Sequence, residues 1–412
     1  QERRPKGVRA VAASAAFGVV ATAGLAACGS DDDDSTGSSS ASVTAPEGSF
    51  PGKAASGAPV KIGLINPEGG PAISMPENRA AAEAATTYAN ENLGGIGGRP
   101  IELVVCKNKE DTASARECAT QMVEAKVSAV VVTATSMSTV MAPIITKAGI
   151  PYTAVAGAGS EIMSDNAFIW SGASGAYQYM AKFSAQENLK SVTAYAIDVP
   201  ASLTGLQMVA TPAFKAAGID FKIVRIPAGT PEVTPQVSAG LTDKTDGVIV
   251  IGNTAMCTAV FKSLGTLGAD VKKMTPQSCA DAQVYKSVGD SLNGTQVFTT
   301  ADTRSDDPES QLYRAVMDKY TPETDAHGYA VSGYQGVLGL VRATESLDGS
   351  DTSPAAVITA ITTAKDVKLP AAHGLTFTCD GTAQPQFKAV CGKGMIVVNL
   401  EQGIATDLQV VQ

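Results

Sequence analysis

One turn of the sequence combines hydroxyl side chains with the predicted start of a helix. The apolar run at 129–133 is typical of a buried strand, and the residues after it read Ala-Thr-Ser-Met-Ser-Thr. Hydroxyl groups and free backbone N–H groups at the start of a helix together form a good anion site. Thr135 and Ser136 are therefore candidate ligand-binding residues. The alternative is that the hydroxyl of Ser138 caps the helix.

Other polar side chains follow strands predicted elsewhere in the chain. Asn253 comes after one strand of the second half, and Gln277 after the next. Ligands of open α/β sheets bind beyond the carboxyl ends of the strands, so both residues are candidates. The loop at 66–71 has the same position after the first strand. Its Glu68 could meet a cationic group, and a solvent-facing turn is the alternative.

The number of cysteines predicts disulfide bonds. Cys28 lies near the N-terminus, and the six others are Cys106, Cys118, Cys257, Cys279, Cys379 and Cys391. An even number of cysteines outside the cytoplasm predicts disulfides. The sequence alone does not select the pairing, and the simplest is sequential: 106–118, 257–279 and 379–391. A zinc site would need closely spaced cysteine pairs or nearby histidines, so neither metal nor cofactor is expected.

An enzymatic reading rests on one short motif. Residues 289–292 spell Gly-Asp-Ser-Leu, a lipase and esterase signature that would make Ser291 a nucleophile. Such a nucleophile needs an activating base, in this signature a late histidine three residues after an aspartate. The two histidines, His327 and His373, have no aspartate at that position. We therefore expect a protein that is not an enzyme, with a hydrolase as a remote alternative.

Strands and helices must position these residues. Apolar strand patterns alternate with helical patterns from 60 to 155 and again from 191 to 299. This alternation predicts βαβ units and a parallel sheet, and two runs predict an α/β fold with two doubly wound lobes. The first helix should begin at a capping box at 74–77. A hairpin is expected within 375–390.

Length and composition narrow the possible functions. The chain has 412 residues, which suggests two domains, and a net charge of −9 without a basic stripe, which disfavours nucleic-acid binding. It lacks a Walker A sequence, so it is not predicted to be an ATPase. After residue 28 it lacks an apolar stretch long enough to span a bilayer, so it is not predicted to be a permease.

The N-terminal segment predicts export. Arg3, Arg4, Lys6 and Arg9 precede an Ala-rich apolar stretch that ends in Leu-Ala-Ala-Cys-Gly at 25–29. This is the layout of a secretory signal, and its end resembles a bacterial lipobox. We expect a signal peptide at 1–27, a lipid on Cys28 and an extracytoplasmic location, with an uncleaved anchor as the alternative. Residues 28–58 have the composition of a disordered tether.

Several stretches resemble one family. Residues 90–104 resemble the "N-x-x-G-G-I-x-G-x-P-I-E-L" passage of periplasmic binding proteins for branched-chain amino acids, and 142–151 its "A-P-I…A-G-I-P" run. Similar residues occur at 231–236, 246–250 and 333–335, so the resemblance covers roughly 59–412.

The resemblance implies an architecture and a function. The fold would be the type I periplasmic binding protein fold, two lobes joined by three crossovers with the ligand between them. Lobe one would comprise 59–171 plus 300–366, and lobe two 172–299 plus 367–412. Such lipoproteins capture a small polar solute, here an amino acid, amide or small carboxylate, and deliver it to an ABC permease and its ATPase. A ligand-sensing co-receptor is the alternative. The membrane would be contacted only through the lipid.

The resemblance also implies roles for single residues. Family members grip a ligand carboxylate with Ser or Thr where this chain has Thr135 and Ser136. They use a backbone carbonyl near Ala156 and a threonine hydroxyl near Ala158, where this chain has no hydroxyl. They pair the ligand's ammonium with a carboxylate where Gln277 stands. A neutral amide does not supply that charge, which points to an amide, a urea-like solute or a carboxylate without the amine.

Overall fold

The structure, a computed structural model, describes residues 44–70, 73–280 and 282–412. The predicted signal peptide, Cys28 and the first part of the predicted tether lie outside these residues. Within the described ranges, no helix combines the length and apolar character that crossing a bilayer requires.

The described residues alternate between strands and helices over most of their length. The strands are β1 (Val60–Pro67), β2 (Ile101–Asn108), β3 (Ala129–Val132), β4 (Tyr152–Ala154), β5 (Ala167–Ile169), β6 (Ser191–Ile197), β7 (Asp220–Ile226), β8 (Gly247–Ile251), β9 (Lys272–Pro276), β10 (Thr295–Thr299), β11 (Val367–Lys368), β12 (Thr376–Phe377), β13 (Met395–Glu401) and β14 (Ile404–Val411). The helices are α1 (Pro76–Asn92), α2 (Thr112–Glu124), α3 (Ser138–Lys147), α4 (Ala176–Gln186), α5 (Pro200–Gly205), α6 (Thr211–Ala216), α7 (Thr234–Gly240), α8 (Thr254–Thr266), α9 (Ala282–Val288), α10 (Pro308–Tyr320), α11 (Val331–Ala343) and α12 (Pro354–Thr363).

The first sheet is parallel and has the order β2-β1-β3-β4-β5. Its central strands are apolar and buried on both faces, as parallel strands covered by helices must be. The strand order reverses between β1 and β3. We use "lobe one" for this sheet and the elements packed on it, which include α1 and α11.

The second sheet has the order β14-β13-β10-β9-β8-β6-β7, and we call it and its helices "lobe two". Strands β6 to β10 are parallel, whereas β13 and β14 are antiparallel additions at one edge. The predicted hairpin within 375–390 was wrong, because residues 386–390 form no strand and β12 pairs with β11, although Phe377 also forms an isolated antiparallel bridge with Gly392. The hairpin is β13–β14, and its turn residues Gln402 and Gly403 both have positive φ. Such turns match the twist of two antiparallel strands.

The two doubly wound α/β lobes and their three crossovers confirm the predicted fold class. The chain leaves lobe one after β5, returns after β10 and leaves again before β13. Ile169 in β5 donates its N–H to the Ala389 carbonyl and accepts from the N–H of Cys391, each at 2.8 Å. Residues 389–391 therefore lie against lobe one, and we propose that the third crossover follows Cys391 rather than position 366.

Three disulfides join the cysteines in the simplest predicted pairing. Cys106 bonds Cys118, Cys257 bonds Cys279, and Cys379 bonds Cys391. The first ties β2 to α2. The second ties α8 to the short helical turn Gln277–Cys279 that follows β9. No group of three or more metal-binding side chains occurs in the described ranges.

The predicted tether ends earlier than residue 58. Phe50 makes an edge contact with the Tyr88 ring at 5.4 Å, and the Tyr88 hydroxyl donates to the Ser49 carbonyl at 2.6 Å. Lys53 forms an isolated parallel bridge with Leu93. An aromatic anchor inside a polar segment thus holds these residues on α1, and the prediction of disorder up to residue 58 was wrong for them.

Close packing of α1 against α11 yields a test of the lobe-one core. A Cβ on Gly333 would lie 1.8 Å from the Asn78 carbonyl oxygen, so the helices must separate to accept it. We expect Gly333→Ala to lower the free energy of unfolding by about 3 kcal/mol, measured by urea denaturation. Gly328→Ala is the control, because a Cβ there meets nothing within 4 Å. Equal stability of the two variants would contradict this packing.

Candidate functional site

The carboxyl ends of β1 and β3 lie side by side where the strand order of the first sheet reverses. Asn66, at the end of β1, is fully buried, and its Oδ1 accepts a hydrogen bond from the Thr133 hydroxyl at 2.6 Å. Its Nδ2 donates to the Met75 carbonyl at 2.9 Å. This pair fixes the two turns relative to each other. Open α/β sheets bind ligands at such a reversal.

The turn after β3 binds a carboxylate, and that carboxylate belongs to Glu110. The Thr135 hydroxyl donates to Glu110 Oε1 at 2.7 Å. The backbone N–H and the hydroxyl of Ser136 donate to Glu110 Oε2 at 2.7 and 2.6 Å. The chemistry predicted for Thr135 and Ser136 is present, with a chain carboxylate as the acceptor. The alternative role of Ser138 was wrong, because the residue that precedes α3 is Met137 and makes no side-chain cap.

A second carboxylate lies on the turn after β4. Glu161 is 1% exposed, and its Oε1 accepts hydrogen bonds from the backbone N–H groups of Ala158 and Gly159 at 2.8 and 2.9 Å. Its Oε2 is buried and has no hydrogen-bond partner among the residues that the structure describes. Ala156 and Ala158, the predicted ligand-binding residues of this turn, are both exposed. Their contact with a ligand stays a prediction.

Glu68 forms ion pairs with two cationic side chains of the same chain. Arg79 Nε lies 2.8 Å from Glu68 Oε2, and Lys107 Nζ lies 2.6 Å from Glu68 Oε1. The hydrogen bond from Arg79, with a further one from Lys107, lowers the pKa of Glu68 to about 2 despite its burial. The solvent-facing turn was therefore the wrong alternative. A ligand cation at Glu68 stays a prediction and would compete with two side chains.

Lobe two places the other predicted residues after β8 and β9. Asn253 caps α8, because its Oδ1 accepts from the N–H of Met256 at 3.0 Å. Gln277 Oε1 accepts from the Thr299 hydroxyl at 2.9 Å, which leaves the two amide N–H donors for other partners. Within the described ranges, no hydrogen bond joins either residue to the turn of Thr135.

Gln277 lines a cavity of about 290 Å³ between segments of both lobes. The other walls are the end of β10, residues 301–304, residues 325–329 and the β13–β14 hairpin. Asp302 in this wall is 4% exposed. Burial opposes its ionisation, but hydrogen bonds from Ser305, Arg304 and His373 outweigh the burial and lower the pKa of Asp302. The cavity thus has a charged polar wall beside apolar strand residues.

Ser291 has the surroundings of a structural residue. It lies in the helical turn Gly289–Leu292, and its carbonyl accepts from Lys273 Nζ at 2.8 Å. A Cβ on Gly265 would lie 2.5 Å from the Ser291 hydroxyl, so this hydroxyl faces α8. Of the two histidines, His327 lines the cavity and His373 bonds Asp302. Among the described residues, the hydrogen bonds of Ser291 involve neither histidine.

The model of the periplasmic binding protein family matches residues 59–393 of this chain. The chain belongs to the periplasmic binding protein family. This confirms the family resemblance on which the two-lobed architecture was predicted. The members of this family are solute-binding proteins. A search of curated proteins finds no match.

Solved structures share the fold of this binding protein. An ABC transporter substrate-binding protein from Sphaerobacter thermophilus has 19% sequence identity and a TM-score of 0.71, with 86% of this chain and 98% of that chain covered. A branched chain amino acid ABC transporter from Thermus thermophilus with bound valine has 16% identity and a TM-score of 0.70, over 86% and 96%. A solute binding protein from R. palustris in complex with benzoate has 18% identity and a TM-score of 0.66, over 86% and 96%.

Glu68 makes the stability of this binding protein depend on pH. Its pKa in the folded chain lies below its usual 4.5, so its stabilising effect is complete above about pH 4.5 and disappears as the pH falls toward 2. We expect Glu68→Gln to lower the free energy of unfolding at pH 7 by at most about 3 kcal/mol. The variant should also lose less stability than the wild type between pH 4.5 and 2.

Urea unfolding at a series of pH values measures both effects. Glu83→Gln is the matched control, because Glu83 also binds Arg79 but its side chain is 46% exposed. An exposed pair contributes about 1 kcal/mol or less. A Glu68→Gln variant with the pH dependence of the wild type would contradict the role of the buried ion pair.

Proposed function

We propose that this chain is an extracytoplasmic lipoprotein, anchored through Cys28, that captures a small polar solute between its lobes and delivers it to an ABC permease with its ATPase. Family membership supports the solute-binding role alone. The lipid anchor and the delivery to a permease go beyond it and are part of the proposal. The sequence around Cys28 supports the anchor. We further propose that the chain does not catalyse a reaction on its solute.

The observation that carries the proposal is that polar groups stand at the carboxyl ends of the strands in both lobes. Polar turns stand at the carboxyl ends of β3 and β4 in lobe one, and Gln277 with its cavity follows β9 in lobe two. Binding sites of this kind are concave, largely apolar and fitted with a few placed polar groups. A cavity of about 290 Å³ suits a small molecule and is too small for a folded partner.

The connections between the lobes pack closely against each other. Trp170, in the first crossover, is fully buried and stacks on Phe377 at 4.8 Å. A Cβ on Gly392, in the third crossover, would lie 2.5 Å from the Trp170 carbonyl oxygen. The crossovers thus pack backbone to backbone beside a single tryptophan. A solute that binds the closed form more tightly shifts the population toward it.

Ligand screening by thermal shift tests the function. The panel contains valine, leucine, benzoate, benzamide, urea and simple amines, because solved relatives of this fold are described with valine and with benzoate. At 100 times its Kd a ligand stabilises the folded state by about 2.7 kcal/mol, which should raise Tm by roughly 5 °C. The same ligand should reduce the radius of gyration in X-ray scattering and change the Trp170 fluorescence.

Single substitutions then locate the ligand in the cavity. Gln277→Ala should weaken binding of the selected ligand by roughly tenfold or more, since it removes amide donors from the cavity wall. Gln283→Ala is the control, an exposed glutamine of the neighbouring helix α9 that does not line the cavity. Binding that Gln277→Ala leaves unchanged would contradict this placement. A Tm unaffected by every compound would count against the function.

A further inference from the structure

The carboxylate of Glu110 uses the whole set of donors in the turn after β3. Its Oε1 accepts from Thr135 and from Asn108 Nδ2, and its Oε2 accepts from the N–H and the hydroxyl of Ser136. An ionised carboxylate accepts about four hydrogen bonds, so this group is saturated. A ligand carboxylate would have to displace Glu110 or lie beside it, and two adjacent carboxylates repel each other.

The backbone around Glu110 shows that it is a fixed part of the turn. Its φ is +60°, a left-handed conformation that is unfavourable for a non-glycine residue. Its N–H donates to Asn108 Oδ1 at 3.1 Å, and Asn108 is fully buried. Asp111, the next residue, caps α2 through the N–H of Ser114. Asn108 on one side and the helix cap of Asp111 on the other fix the backbone of Glu110. The hydrogen bonds to its carboxylate fix the side chain.

Glu161 provides an independent observation on the neighbouring turn. Because β3 and β4 are paired in parallel, their following turns lie at the same edge of the sheet. A Cβ on Gly159 would lie 2.6 Å from the unpartnered Glu161 Oε2 and 2.4 Å from the Ser138 hydroxyl, so both atoms face the same space. A buried acceptor without a donor destabilises the folded chain. Among the described residues, this oxygen of Glu161 has no donor.

The two carboxylates lack cations of their own. Within the described ranges, the salt bridges that the structure contains involve neither Glu110 nor Glu161. The donors around them are neutral amides and hydroxyls, which hold a negative charge without cancelling it. Both charges act on the same neighbour, since burial and then the charges of Glu161 and Glu110 raise the pKa of the Tyr152 phenol.

We infer that the solute recognised by lobe one is a cationic nitrogen compound, an alkylammonium or guanidinium group without a carboxylate at that end. The inference rests on the proposed solute-binding function and names its substrate class. A cation at this edge of the sheet compensates the negative charges of both carboxylates. A carboxylate ligand finds the donors of the turn already taken by Glu110, and the negative charges of Glu110 and Glu161 repel it.

Matched ligands test the inference on the intact chain. Isothermal titration compares 3-methylbutylamine with leucine, and benzylamine with benzoate, so that the charge differs while the apolar part is kept. At least one amine should bind at least tenfold more tightly than its acidic partner. Butylguanidine should also bind if the site accepts both kinds of cation. An amine with a Kd above that of leucine or benzoate would count against the inference.

Charge-neutralising variants show which carboxylates are responsible for amine binding. Glu110→Gln and Glu161→Gln should each weaken amine binding roughly 10- to 100-fold, because each variant removes one negative charge that attracts the bound cation. Glu102→Gln, an exposed glutamate on β2, is the control and should bind like the wild type. If a site variant does not fold, the two ligand pairs measured on the wild type still decide the question.

The outcomes separate this inference from the function on which it rests. Tight binding of leucine or benzoate with inert amines overturns the inference and leaves the solute-binding function standing. Selective binding of a neutral amide also overturns the inference. A folded chain that binds no compound of either panel overturns both.

Discussion

In lobe one, β1 and β3 run side by side, with Ile65 opposite Val132, and the chain then leaves them for different helices. Parallel strands end at the same edge, so every polar turn of this lobe depends on that pairing. The buried hydrogen bond between Asn66 and Thr133 joins the carboxyl ends of the two strands. The turns that carry Glu68, Glu110 and Thr135 follow β1, β2 and β3, and the parallel pairing of these strands sets their relative positions.

Local patterns in the sequence indicated which turns carry polar groups, and the binding of a ligand by these residues stays a prediction. A hydroxyl pair after a strand indicates an anion site, and Thr135 and Ser136 do bind a carboxylate. Glu110 was missed because its contact spans 25 residues and depends on a positive φ at a non-glycine position. No local pattern indicates such a conformation. The one available signal was an acidic residue shortly after β2, at the same edge of the sheet.

The errors in the elements have similar causes. The capping box at 74–77 was wrong because the Ser74 hydroxyl accepts from the N–H of Gly69 instead, and α1 begins at Pro76. A serine has several possible partners within a loop, and only the tertiary fold selects one. The hairpin was placed within 375–390 on its turn residues, whereas the edge of the second sheet recruits the longer alternating segment at 395–411.

The charge at the edge of lobe one also bears on how closure would select a solute. In an open cleft, water solvates an exposed carboxylate, and closure removes that water. Burying uncompensated charge is costly, so a neutral solute would make closure less favourable. A cation about 4 Å from a carboxylate contributes roughly 4 kcal/mol of attraction in a partly buried setting. Glu110 is partly exposed and would therefore couple the charge of the solute to the closed state, so that the binding energy that distinguishes the two forms would come from a group that recognises the ligand.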